Sequence, residues 1–165
     1  MIKFASYIIS EKQLKSLNSE SSNMRDRFIA IREKNNEVCE ILKKEYINGY
    51  ISLKTNGKEM LGVKYWDDIN CLWMYFVNAL EDIILNKLDI SEFYFPDQPV
   101  KVIILNMGLY LELFIDDIKY NLNKEDFINA IRLGAQEFFE THLELTGNDK
   151  FKYQLEKISK LFPNI

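Results

Sequence analysis

Trp66-Asp67-Asp68-Ile69-Asn70-Cys71-Leu72-Trp73 opens a run that continues through Phe95-Pro96-Asp97-Gln98-Pro99. It passes through Val102-Ile103-Ile104-Leu105-Asn106-Met107-Gly108-Leu109-Tyr110-Leu111 and leaves at Asp116-Asp117. Its first part repeats apolar residues as Ile69, Leu72, Trp73, Phe76, Val77, Leu80, Ile83 and Ile84. That i, i+3, i+4 rhythm marks a helix with one buried face and predicts a helix over 67–86. Asp67 and Asp68 fall in its first turn, where the positive end of the helix dipole favours anions. Pro96 and Pro99 hold an extended connection. Continuous apolarity over 102–105, a turn at Asn106-Met107-Gly108 and the alternation of Leu109, Leu111, Leu113 and Ile115 predict a hairpin over 100–115.

Outside this block, Asn56-Gly57 separates two alternating runs and predicts a second hairpin over 50–63, because both turn residues must take positive φ. Met24, Phe28, Ile31, Val38 and Leu42 recur at spacings of four and three if Asn35 fills one slot, which predicts an amphipathic helix over 24–46. Residues 2–9 read as a short edge strand, and the polar stretch from Ser16 to Asn23 as a loop or helix start. Asn123 caps a helix over 124–144 that carries Phe127, Ile131, Gly134, Ala135, Phe138 and His142 on one face. Gly134 in mid-helix costs about 1 kcal/mol, so a close approach by another element is expected there. A last helix covers 150–161. The order predicts a single α+β domain, its antiparallel sheet built from the two hairpins and packed by the four helices.

At 165 residues, 47% of them hydrophobic and 13% aromatic, the chain is long enough to bury one core. A net charge of −4 and the absence of a Lys/Arg stripe argue against a nucleic-acid partner. No run approaches the roughly 20 apolar residues that span a bilayer, and the opening segment is too short and polar for a signal peptide. No membrane association and a cytoplasmic location are the expectations. Cys39 and Cys71 fall in predicted helices and read as free thiols.

Catalytic chemistry is thin. His142 is the only histidine, so no dyad or zinc set has the partners and spacing it needs. The six glycines are scattered, and no phosphate-cradling loop exists. No catalytic residue, metal site or cofactor is expected. The doublets Asp67/Asp68, Glu81/Asp82 and Asp116/Asp117 keep a carboxylate-dependent metal enzyme open as an alternative, beside the plain reading of solvated faces and helix-start anions.

A Trp-led helix with acidic outer positions, the Phe-Pro-Asp-Gln-Pro connection, the apolar hairpin and the later Phe138-Phe139 helix together resemble small bacterial toxin-immunity proteins. The resemblance covers roughly residues 50–145 and is one of feature order, with no single diagnostic motif; the first 45 residues match nothing in it. It implies a non-enzymatic cytoplasmic protein that occludes a cognate toxin domain, many such toxins being nucleases. A basic nuclease cleft would be met by acids and anchored by aromatics. The candidate charges are Asp67, Asp68, Glu81, Asp82, Asp97, Asp116 and Asp117; the candidate anchors are Trp66, Tyr94 and Tyr110. The other class left open is an interaction or regulatory module that forms a homodimer through the 24–46 helix.

Overall fold

Two antiparallel sheets carry the fold of the computed structural model, which describes residues 1–17 and 23–162. The strands are β1 (Ile2–Ile8), β2 (Ile29–Ala30), β3 (Asn48–Thr55), β4 (Lys58–Leu61), β5 (Asp67–Asp68), β6 (Ile90–Tyr94), β7 (Lys101–Asn106), β8 (Tyr110–Ile115) and β9 (Ile118–Asn123). The α-helices are α1 (Glu11–Ser16), α2 (Asn36–Leu42), α3 (Ile69–Ile84), α4 (Lys124–Thr146) and α5 (Lys152–Leu161). The first sheet runs β2-β1-β3-β4, with β5 also on β3; the second runs β6-β7-β8-β9. The α+β class is as expected. No helix among the described residues is long and apolar enough to cross a membrane.

Both expected hairpins are present, and they belong to different sheets. Asn56 and Gly57 take φ of 49° and 77° between β3 and β4, the paired positive angles that Asn-Gly supplies. β1 then pairs with β3 from Ile2↔Thr55 to Ile8↔Gly49 and fills its open edge, so β1 is an interior strand rather than an edge. The β7–β8 hairpin is flanked by β6 and β9 instead, two short strands whose exposed positions mix Glu92, Lys119 and Asn121 with Ile90, Tyr94 and Ile118, which blurs their alternation.

The expected helix over 24–46 does not form. Its place is taken by a 3₁₀ turn at Met24–Arg27, strand β2, a second 3₁₀ turn at Ile31–Glu33 and the two-turn α2. Lys34 sits in the left-handed region at φ 46°, which ends the second turn. Asn35 is no stripe residue: its side chain accepts from the Val38 N–H at 2.9 Å and caps α2. An Asn that bonds its own downstream backbone starts helices more readily than it continues them. The spacing misled because Phe28 and Ile31 are buried in different cores. The self-association helix is therefore absent. The polar Ser16–Asn23 stretch lies, over 18–22, outside the described residues.

The remaining helices agree with expectation to within a turn. Asp68 caps α3 through the Asn70 N–H at 3.0 Å, and Asn123 caps α4 through the Asp126 N–H at 2.9 Å. Together α3 and α4 pack against both sheets, and one continuous core runs from Ile2 and Leu53 of the first sheet to Val102 and Leu122 of the second. At its centre Trp73 is fully buried and donates its indole N–H to Ser6 Oγ at 3.0 Å. Its ring lies against Gly134, where an added Cβ would stand 2.3 Å from Trp73 Cη2. The mid-helix glycine is thus a contact requirement.

A second, smaller core covers the other face of the first sheet. Ile9, Phe28 and Tyr50 are buried there with Leu14, Met24 and Trp66 around them, and Tyr7 stacks on Tyr50 at 4.8 Å. The first sheet is covered on both faces. The outward residues of the second sheet, Ile103, Leu105 and Phe114 among them, pack against neither core.

Candidate interaction surface

Asp67 organises one end of the molecule. It is 1% exposed, and its carboxylate accepts from three backbone N–H groups: Asp68 at 2.7 Å, Asp97 at 3.1 Å and Gln98 at 2.9 Å. Asp97 in turn accepts the Tyr46 hydroxyl, and the Gln98 amide donates to the Trp66 carbonyl. The Asp67 carboxylate joins β5 to the β6–β7 loop, and Asp97 joins that loop to the segment before β3. Charge-assisted bonds to backbone donors are the strong kind, and here they fix a loop with two prolines.

The structure sorts the ten candidates into three groups. Trp66, Asp67, Asp68, Tyr94, Asp97, Asp116 and Asp117 gather near the β6–β7 loop and the adjacent β8–β9 turn. Within that group Asp67 and Asp68 are buried, a correction to their expected surface role, and Trp66 is half-buried against the smaller core. Asp97, Asp116 and Asp117 are exposed, and Tyr94 is 58% exposed. Asp116 turns the chain at φ 52° while its N–H donates to the Lys101 carbonyl at 2.8 Å. Glu81 and Asp82 are elsewhere and engaged: Glu81 pairs with Lys157 at 2.6 Å, and Asp82 accepts from Ser91 Oγ at 2.7 Å. Tyr110 stands at the opposite end of the second sheet beside the exposed Met107 and Leu109. Sequence reading missed Tyr46, which is 42% exposed over the same loop; nothing near it in the chain points to its partner Asp97.

Burial shifts Tyr46, Asp68 and Cys71 at this end. Burial pushes the Asp68 carboxyl up despite the N–H and thiol donors it receives. Burial, then the neighbouring Asp68 charge, pushes the Cys71 thiol up to about 12, so it stays a thiol at neutral pH and is a poor nucleophile. Burial and the Asp97 hydrogen bond raise Tyr46 as well. Cys39 and Cys71 are both free. Among the described residues no group of three or more His, Cys, Asp or Glu is placed to hold a metal ion. What this end offers is shape, aromatic surface and charge.

His142 is 1% exposed with its ring edge-on to Phe151 at 4.8 Å. Burial, reinforced by the Lys150 charge, pushes it down to about 4 from 6.5. A base whose folded pKa is lowered takes up its proton more readily when unfolded, so stability is lost as pH falls from 6.5 towards 4. The expected loss between pH 7.5 and pH 5 is about 2 kcal/mol. The raised Asp68 carboxyl acts in the opposite sense, so the readout is the difference between two proteins. Urea melts of the native chain and of His142→Phe across this range should show the variant's acid slope flattened. Equal slopes would remove His142 as the cause.

No protein-family model, curated protein or solved structure matches this chain.

Proposed function

We propose that this chain is a non-catalytic binding protein that neutralises a cognate bacterial toxin domain by stoichiometric occlusion. The proposed docking surface is the end of the molecule built around the β6–β7 loop. The observation that carries the reading is the Asp67 latch. It spends a buried carboxylate on holding a surface loop, beside which Tyr46, Tyr94, Asp97, Asp116 and Asp117 stand exposed. A loop ordered in advance loses little entropy on binding. Aromatic anchors beside acids suit a basic partner such as a nuclease cleft: the rings supply buried contact and the acids speed encounter. The resemblance of feature order to immunity proteins points to the same class of partner.

The test is affinity capture from the native host, using the chain and a variant carrying Tyr94→Ala, Asp116→Lys and Asp117→Lys. All three sites are exposed, and Lys at the left-handed Asp116 position costs about 1 kcal/mol, so a melting curve is run beside the capture. Recovery of a toxin's C-terminal fragment at one-to-one stoichiometry, reduced with the variant, is the expected result. The purified fragment should then lose its activity at equimolar chain, with association at least about tenfold slower for the variant at low salt. A captured toxin that binds both proteins equally, or that stays active in the complex, overturns the reading.

A further inference from the structure

We propose that the uncovered face of the β6–β9 sheet docks a second copy of this chain, related by a two-fold axis parallel to the strands. The face is built in register. Glu92, Ile103, Phe114 and Lys119 stand side by side on β6, β7, β8 and β9, and read across the sheet as acid, apolar, apolar, base. Rotating a copy about an axis along the strands lays its β9 over β6 and its β8 over β7. Glu92 then meets the second copy's Lys119 at both ends of the row, and Ile103 meets Phe114 twice at its centre. Rotation about an axis across the strands would set Glu92 on Glu92 and Lys119 on Lys119, so this row selects one orientation; in the next row Leu105 faces the second copy's Glu112, which keeps its Lys119 partner.

The charged side chains are already held upright. Lys101 pairs with Glu92 at 2.8 Å and lies over the Tyr94 ring; Glu112 pairs with Lys119 at 2.6 Å, and Lys119 lies over Phe114. Less rotamer freedom remains to be lost on docking. The opposite face of this sheet is committed to the core through Val102, Ile104, Leu113 and Ile115. Facing sheets of this kind pack within about 30° of parallel.

The size of the face sets the strength. Four strands span roughly 19 Å and six residues roughly 20 Å, so about 800 Å² is buried over both copies. That is below the 1,200–2,000 Å² typical of stable complexes, which makes the pair weak and its population dependent on concentration. Tyr94 borders both this face and the loop-end surface, so a seated copy and a loop-end partner would compete for it. The dimer itself does not depend on the toxin reading.

Sedimentation equilibrium of the full chain up to about 1 mM tests it, with Glu92→Lys, Lys119→Glu and the double exchange. Within one copy these residues are three strand spacings apart, roughly 14 Å, too far for strong direct coupling at physiological salt. Each single change is expected to weaken the dimer at least about tenfold, and the double exchange to bind at least about threefold tighter than either single change, short of full recovery because it sets like charges beside Lys101 and Glu112. Phe114→Asp, at a half-buried position that packs against neither core, should leave a folded monomer whose melting transition stays cooperative and falls only by the roughly 1 kcal/mol that Asp costs in a strand. A chain that stays monomeric at 1 mM overturns the proposal. So does a dimer indifferent to Phe114→Asp, or a double exchange that binds no tighter than the single changes.

Discussion

Trp73→Ala is expected to lower the unfolding free energy by about 4 kcal/mol, the cost of emptying a fully buried indole site. It also strands the Ser6 hydroxyl, which is 2% exposed and takes the indole N–H. Gly134→Ala should cost about 2 kcal/mol on its own, because the new methyl would stand 2.3 Å from Trp73 Cη2 and 3.0 Å from Phe4 Cδ2. The informative result is the combination. With the indole gone, Phe4 can yield its 3.0 Å contact into the vacated space, and the helix propensity of alanine at 134 should stabilise α4 by up to about 1 kcal/mol. The same substitution is thus expected to change sign with its background. Urea melts of the four proteins measure it, and additive effects would mean that the ring does not set the identity of residue 134.

Asp67→Ala is expected to cost about 3 kcal/mol. It removes the shared acceptor of the buried Asp68 N–H and the part-buried Asp97 and Gln98 N–H groups, and the donors left unpaired carry most of that loss. Hydrogen exchange at those two amides should accelerate in step with the loss, whereas exchange in α4 follows global stability alone. Asp67→Asn keeps one acceptor oxygen and should fall between. A loss below about 0.5 kcal/mol, with slow exchange at both amides, would show that the prolines hold the loop unaided.

These expectations separate what local chemistry encodes from what it does not. The face of α3, the cap at Asn123, the Asn56-Gly57 turn and the close approach at Gly134 were all legible, each from residues within a turn or two of one another. The 24–46 segment was misread because its regular spacing was assembled from residues bound for two different cores, with Lys34 and Asn35 breaking the helix between them. Asp67 was read as a helix-start anion; Asp68 fills that role, while Asp67 answers to backbone donors some thirty residues away.

By itself the sequence determined the α+β class, most of the helices and both hairpins. Periodicity, capping and turn angles act over a few residues and leave their mark in the chain. Only the tertiary structure decided that the two hairpins enter different sheets, that β1 lies inside one of them, and that the second sheet keeps an uncovered face. It also gathered Tyr46, Tyr94, Asp97, Asp116 and Asp117 at one end around a buried carboxylate. A strand of period two pairs equally well with several neighbours, so which edge it takes, and which face stays open, depends on contacts between residues far apart in sequence.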